Sequence, residues 1–284
     1  MNKLIQKHED VVQELHDDIY LAKAPNYLTW GVKEVDDKFG KPVKQDLIVM
    51  CGESGSGKTS YAFNNARAMV ASGLKVLFCT LEMSKKGLMK RFAQQYARFS
   101  DEDYERSSYS HNQMQKINEV IEFCGNPNFT IAETDYNSGE GVKVEDLITE
   151  ILFNSEEKKF DFIFIDALQF LKGSNVHANE KETVDDVLSK LLSFVNSSDG
   201  VPVCLLHHFV KGTEGSRTGP RGINQLMGSA KIEHKATRVV QIWRDIMNED
   251  SDVTKFIVMK DRWNGKTGMI DLQYNNAQYR VSTL

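Results

Sequence analysis

The sequence predicts an α/β fold: a mostly parallel central sheet with helices on both faces, finished by a β-hairpin at the carboxyl end. Three observations carry this. Short apolar runs recur at 47–51, 75–81, 160–166, 201–206, 239–243 and 256–259. Unbroken runs of this kind suit strands buried on both faces. Stretches with helical spacing of apolar residues separate most of them, as a layered α/β domain requires. Third, the first run leads straight into Gly52, Glu53, Ser54, Gly55, Ser56, Gly57, Lys58 and Thr59, which fit G-x-x-x-x-G-K-[ST].

That motif has the context it needs, a strand before and a helix opening at Ser60 after. Its glycines let backbone N–H groups turn inward around phosphate oxygens. The helix N-terminus adds partial positive charge. Lys58 would reach the β- and γ-phosphates, and the Thr59 hydroxyl would bind Mg²⁺. The expected ligands are therefore a nucleoside triphosphate such as ATP, with Mg²⁺.

With 284 residues and 40% hydrophobic content, the chain suits one large domain with a real core and a small appendage. No apolar run approaches the ~20 residues of a membrane span. The polar first ten residues do not resemble a secretory signal. Cys51, Cys79, Cys124 and Cys204 lack C-x-x-C spacing, and three of them fall in core strands. The expectation is a reducing cytosol, no disulfide, no zinc and no membrane partner. A net charge of −5 argues against broad nucleic-acid coating and leaves room for a local basic track.

Taken in order, residues 1–26 read as an amphipathic linker helix. Ile5, Val12 and Ile19 repeat every seventh residue, with His8, Leu15 and Ala22 as a weaker row, and Pro25 ends it. It either lies on its own domain or docks on a neighbouring subunit. Residues 27–45, with Trp30, Val35 and Phe39, lead into the first strand. After the helix that follows the phosphate loop, Gly73 turns the chain into strand 75–81, which ends at Glu82. From Met83 a long helical stretch places Leu88, Met89, Phe92, Tyr96 and Phe99 on one face, which is core. Residues 100–110 are a polar surface turn opening another helix, and helices at 113–123 and 144–153 flank a strand at 128–132. The run 160–171 is a strand ending in Asp166, and 173–181 is polar and mobile. A helix at 183–195 precedes the strand closed by His207 and His208. Residues 211–222 are rich in glycine and basic side chains, including Arg217 and Arg221, and 223–235 contains Gly228 and Lys231. The closing hairpin pairs 268–271 with 279–282.

Several of these positions fit phosphate chemistry. Asp166 at a strand end is placed to hold Mg²⁺ through water beside Thr59, since ligands of open α/β sheets lie beyond the carboxyl ends of strands. Glu82 has the same placement; it is either a base for an attacking water or a solvated, helix-capping glutamate. His207 and His208 point to opposite faces, so at most one faces the ligand. Lys260 and Arg262 alternate across Asp261 and project to one side, which suits either an intervening anion or a solvated edge strand.

These residues together resemble a known family. Gly52–Thr59, then Leu81-Glu82-Met83-Ser84, then Ile165-Asp166-Ala167-Leu168-Gln169 are similar to the ATPase domain of DnaB-type replicative helicases. The similarity continues through Leu205-Leu206-His207-His208, Gly228-Ser229-Ala230-Lys231-Ile232-Glu233, Lys260-Asp261-Arg262 and Gly265-Lys266-Thr267-Gly268, in order and spacing from about residue 27 onward. The resemblance implies a RecA-like domain over 27–284. It implies a helicase or translocase that acts in replication on single-stranded DNA, hydrolysing ATP between the subunits of a hexameric ring. By resemblance Glu82 is the catalytic base and His208 the γ-phosphate sensor. Lys260 and Arg262 are then fingers reaching a neighbour's site, and Arg217, Arg221, Gly228 and Lys231 belong to DNA-facing loops. Met227 stands where relatives often carry a basic residue, with Lys231 as a compensating charge. The sensor is histidine, as in phage primase-helicases, where cellular relatives typically have glutamine. The 284 residues include no amino-terminal scaffold or primase domain of the family's kind, which is compatible with a phage or mobile-element origin as well as a host one; the expected compartment is a bacterial or phage-infected host cytosol. A primase, polymerase or loader is the expected protein partner. Two rivals share the motifs: a recombinase-like filament ATPase, and an ATP-gated loading or regulatory module that does not unwind.

Overall fold

A computed structural model of the chain describes residues 28–133, 141–154, 159–175, 178–197, 200–209, 219–226, 228–245, 253–275 and 278–281. The linker-helix expectation for 1–26, and Arg217 and Met227, lie outside these residues.

Strand β1 (Leu47–Gly52) is buried along its whole length and sits inside a nine-stranded sheet. The other strands of that sheet are β2 (Val76–Thr80), β3 (Phe129–Glu133), β5 (Phe162–Asp166), β7 (Val203–His208), β8 (Arg238–Arg244), β9 (Val253–Asp261), β10 (Gly268–Asn275) and β11 (Gln278–Val281). Their order is β11-β10-β9-β8-β1-β7-β5-β2-β3. From β8 to β3 every pairing is parallel, and from β8 to β11 every pairing is antiparallel. The mostly parallel sheet and the terminal hairpin are as expected from sequence. The apolar run at 160–171 divides after Asp166. A short turn at Leu168–Phe170 follows, and β6 (Leu171–Lys172) then pairs with β4 (Val142–Lys143) in a separate ribbon.

Alternate residues of β1 feed two cores. Ile48 and Met50 join the one beneath α1 (Lys33–Phe39), α2 (Lys58–Ala71), α3 (Lys85–Ala97) and α5 (His111–Cys124). Leu47, Val49 and Cys51 join the other, beneath α6 (Val144–Asn154), α7 (Glu180–Val195) and α8 (Ser229–Lys235). This is the period-two pleat of a strand covered on both sides. Leu88, Phe92 and Tyr96 of α3 are buried, as their spacing predicted. The polar turn at 100–110 contains a short capped helix, α4 (Asp101–Arg106).

Two helices had no counterpart in the sequence reading. In α1 only Val35 and Phe39 are buried, and Asp36 ties the approach to the helix by accepting from Trp30 N (2.8 Å). In α8 the seven residues follow Gly228, whose φ of +71° and close neighbour Val184 leave no room for a side chain. Phe256 of β9 is the aromatic centre of the first core, with ring centroids 5.3 Å from Trp30 and 5.3 Å from Tyr61. Phe256→Ala should therefore cost about 3–5 kcal/mol in urea unfolding. A loss below about 1 kcal/mol, the range of a well-tolerated volume-conserving swap, would contradict this packing.

Candidate functional site

The phosphate loop leaves β1 at its carboxyl end and closes into α2. Gly52 is required by space: a Cβ there would lie 2.5 Å from Ile242 O and 2.5 Å from Ser56 Oγ. Gly55 (φ +81°) and Gly57 (φ +94°) take the left-handed backbone that turns the loop inward. Lys58 is buried, and its ammonium donates to Gly52 O (3.0 Å) and Glu53 O (2.7 Å). Burial pushes the Lys58 pKa down to about 8, opposed chiefly by the charge of Asp166.

Sheet register assembles the rest. Gly52 is in register with His208, and Thr80 with Asp166. Thr59 Oγ1 donates to Asp166 Oδ2 at 2.8 Å. Burial raises the Asp166 carboxyl, and the Thr59 hydrogen bond counters it. Glu82 sits on the turn from β2 into α3. That turn is fastened by Thr80 Oγ1 donating to Met83 O (2.8 Å) and by the Ser84 cap on Gly87 N. His208 Nδ1 lies 3.2 Å from Lys58 Nζ, and its Nε2 lies 3.8 Å from Glu82 Oε2. With the lysine charged, Nδ1 accepts and Nε2 presents its N–H to Glu82. The imidazole holds the Glu82 carboxyl below its ordinary range, against burial. His207 is buried on the other side of the strand. The two histidines diverge as expected, and His208 is the one that faces the loop.

The distant residues are engaged within the protomer. A β-bulge between β8 and β9 precedes Lys260. Asp261 turns inward toward Arg238 (3.6 Å), while Lys260 and Arg262 emerge together, as the alternation required. Both reach the carboxyl end of α8: Lys260 donates to Glu233 O and to Ala236 O (2.6 Å), and Arg262 to His234 O (2.6 Å). Lys231 pairs with Asp185 (3.2 Å) and remains half exposed. Arg221 pairs with Glu53 of the phosphate loop at 2.7 Å and is largely buried. The guanidinium that the resemblance assigned to a DNA-facing loop is thus paired with the phosphate loop in this structure.

Beside the loop is a cavity of about 330 Å³, lined by Gly57, Ser60, Arg91, Arg98, Arg244 and Thr254 among others. Its size and its position next to Ser60 suit the rest of a nucleotide. The sequence reading missed these three arginines. Arg91 and Arg98 are seven apart on α3 and its cap, which is one helical face, a signal that could have singled them out. A larger cavity of about 520 Å³, lined by Asn64, Arg67 and Glu119, contains no phosphate-loop residue.

The residues also fit a triphosphate with Mg²⁺. Ser56 Oγ is buried in the loop with no hydrogen-bond partner among the described residues. The Thr59–Asp166 pair supplies a hydroxyl and a carboxylate for Mg²⁺, which would polarise the phosphates when bound. No group of three or more His, Cys, Asp or Glu placed to hold a metal ion is found among the described residues.

A strand, a glycine loop closing on a buried lysine, and a strand-end aspartate beside the loop threonine define a RecA-like P-loop nucleotide-binding domain. The profile of the DnaB-like helicase C-terminal domain matches residues 28–283, and the chain belongs to that family. It is 25% identical over 256 residues to a probable replicative DNA helicase of Trieres chinensis, covering 87% of this chain and 55% of that protein. It is 26% identical over 278 residues to the replicative DNA helicase DnaB of Haemophilus influenzae, covering 93% and 58%. The chain thus spans little more than half the length of these relatives. Its fold is similar to the ATPase domain of G40P, with a TM-score of 0.83 at 18% identity over 98% of this chain and 99% of that one. It is also similar to a DnaB-like replicative helicase studied with primase, with a TM-score of 0.80 at 17% identity over 98% and 67%. No described helix is long and apolar enough to cross a membrane.

The depressed Lys58 pKa has a measurable consequence. A bound triphosphate favours the charged ammonium and raises that pKa. Above pH 8 the free protein has lost the proton, so binding must take one up. Nucleotide affinity should be flat below about pH 8 and fall by up to about tenfold per pH unit above it. Titrations with a fluorescent nucleotide from pH 7 to 9.5 check this, and an affinity unchanged through pH 9.5 would contradict it.

Proposed function

We propose that the protein is an ATP-dependent helicase that moves on single-stranded DNA in replication, hydrolysing ATP between the subunits of a ring. The observation that supports this best is the convergence of Lys58, the Thr59–Asp166 pair and the Glu82–His208 pair at one sheet edge. Water attacks the γ-phosphorus, a new P–O bond forms, and the bond to the ADP oxygen breaks. Ionised Glu82 accepts the proton of that water. Lys58 meets the negative charge of the phosphates. His208, between Glu82 and Lys58, changes partners when the γ-phosphate leaves and carries that change to the end of β7. Lys260 and Arg262 act on the γ-phosphate of an adjacent subunit, exchanging the carbonyls of α8 for a full negative charge. Arg217, Gly228 and Lys231 belong to the loops that contact the DNA backbone. One structural relative was studied for its interactions with primase, and a primase, polymerase or loader is the class of partner proposed for this chain.

Two experiments test this reading. Arg262→Ala should keep nucleotide affinity and lose turnover by about 10³–10⁵-fold, as removal of an arginine finger does. Mixing it with a Glu82→Gln chain should restore hydrolysis, because some interfaces then pair an intact Glu82 with an intact Arg262. Mixed assemblies that form without recovered hydrolysis would contradict a finger acting in trans. Lys231→Ala should lower the salt slope of single-strand binding by about 0.7. Absence of any single-strand binding by the wild-type chain at low salt would overturn the helicase reading.

A further inference from the structure

Glu53 is an odd residue for its place. It is the second position of a loop built to hold a triphosphate, and its carboxylate repels the phosphates that the loop attracts. The structure pairs it. The Arg221 guanidinium lies 2.7 Å from Glu53 Oε1, and the Arg221 side chain is only 8% exposed. The guanidinium also lies over the Phe209 ring, 5.4 Å from its centroid. The Arg221 backbone is fixed as well. The buried amide of Gln241, on β8, lies 3.0 Å from Arg221 O and 3.1 Å from Arg221 N, and turned so that its nitrogen faces the carbonyl it donates to Arg221 O and accepts from Arg221 N. Phe209, one residue beyond β7, forms a bridge with Leu226, which lays the chain around Arg221 back across the carboxyl end of the sheet. Contacts to β1's loop, to the end of β7 and to β8 therefore converge on one arginine. A side chain held at this many points is not a free surface cation.

We propose that Arg221 is a positioning residue of the phosphate loop. It acts through Glu53: it neutralises the carboxylate, so that the loop presents net attraction to a triphosphate, and it fixes the loop against β7 and β8. Glu53 O already accepts from Lys58 Nζ (2.7 Å) and from Ser56 N (3.1 Å). Movement of Glu53 would thus disturb both the phosphate lysine and the loop turn. The segment that Arg221 belongs to runs on to Gly228 and α8, so the same ion pair ties the loop to the helix that Lys260 and Arg262 grip. This inference rests on the reading of the loop as a nucleotide site.

The test is a double-mutant cycle on nucleotide affinity, measured with a fluorescent ADP and with a slowly hydrolysed ATP analogue, in the absence of DNA. Arg221→Gln should weaken binding by about tenfold, because a partly buried carboxylate is left facing the phosphates. In the Glu53→Gln background the same substitution should change affinity by less than about threefold, since no carboxylate remains to neutralise. Arg221→Lys, which keeps the charge, should recover most of the loss. Glu53→Gln alone should tighten binding, and it keeps Arg221 and its packing in place should Arg221→Gln prove unstable. Equal losses from Arg221→Gln in the two backgrounds would assign Arg221 a purely structural role and overturn the proposal. So would unchanged nucleotide affinity combined with lost single-strand binding, or a Glu53→Gln chain that binds no tighter than wild type. Wild-type protein that binds no nucleotide would remove the site itself. Wild-type binding without coupling would remove only the role of Arg221.

Discussion

A buried ammonium organises the carboxyl edge of this sheet. Lys58 is out of water and held by two loop carbonyls and the His208 imidazole, with Asp166 and Glu82 close enough to raise its proton affinity. Those neighbours only partly offset the loss of hydration, which is why the pKa stays low. A bound triphosphate would supply the missing charge. The surrounding architecture serves this one need. Parallel register brings β7 and β5 alongside β1 and β2, so that a histidine and an aspartate arrive at the loop from separate strands. A fully buried β1 leaves the loop nowhere to retreat.

Among the described residues, several other buried or half-buried cations have likewise found an acceptor within the protomer. Arg221 rests on Glu53, Lys231 and Lys235 on Asp185, and Lys260 and Arg262 on the last carbonyls of α8. A helix carboxyl end carries about half a negative charge, enough to hold two cations side by side but less than a phosphate offers. In the proposed ring, a neighbour's γ-phosphate competes with α8 for the same two side chains. Helix α8 follows directly on Gly228, in the stretch proposed to face DNA, and so joins the two ends of that competition. An acidic chain can bind a polyanion in this way, by releasing cations from internal partners.

Much of this was legible in the sequence because it depends on short-range rules. Continuous apolar runs marked the buried strands, G-x-x-x-x-G-K-[ST] marked the loop, and strand periodicity separated His207 from His208 and set Lys260 and Arg262 on one side. Other features depend on long-range packing and had no local pattern. Helix α1 is seven residues between two glycines, with only two buried side chains and no side-chain cap. Helix α8 is equally short and is fastened from outside, by β9 and by Asp185 of α7. The partner of Arg221 lies far back along the chain, so its glycine-flanked setting read as an open loop. Arg244 joins the cavity only because β8 pairs beside β1.

The central claim is that Glu82 acts on water while Lys58 and the loop hold the nucleotide. Separating binding from chemistry in one variant tests it most directly. The measurement is nucleotide affinity and single-turnover hydrolysis for Glu82→Gln, which keeps the shape and the neighbours of the side chain. The account predicts binding within about threefold of wild type and hydrolysis slower by about 10²–10⁴-fold. Hydrolysis at near wild-type rate would contradict it and would place the base elsewhere at this sheet edge.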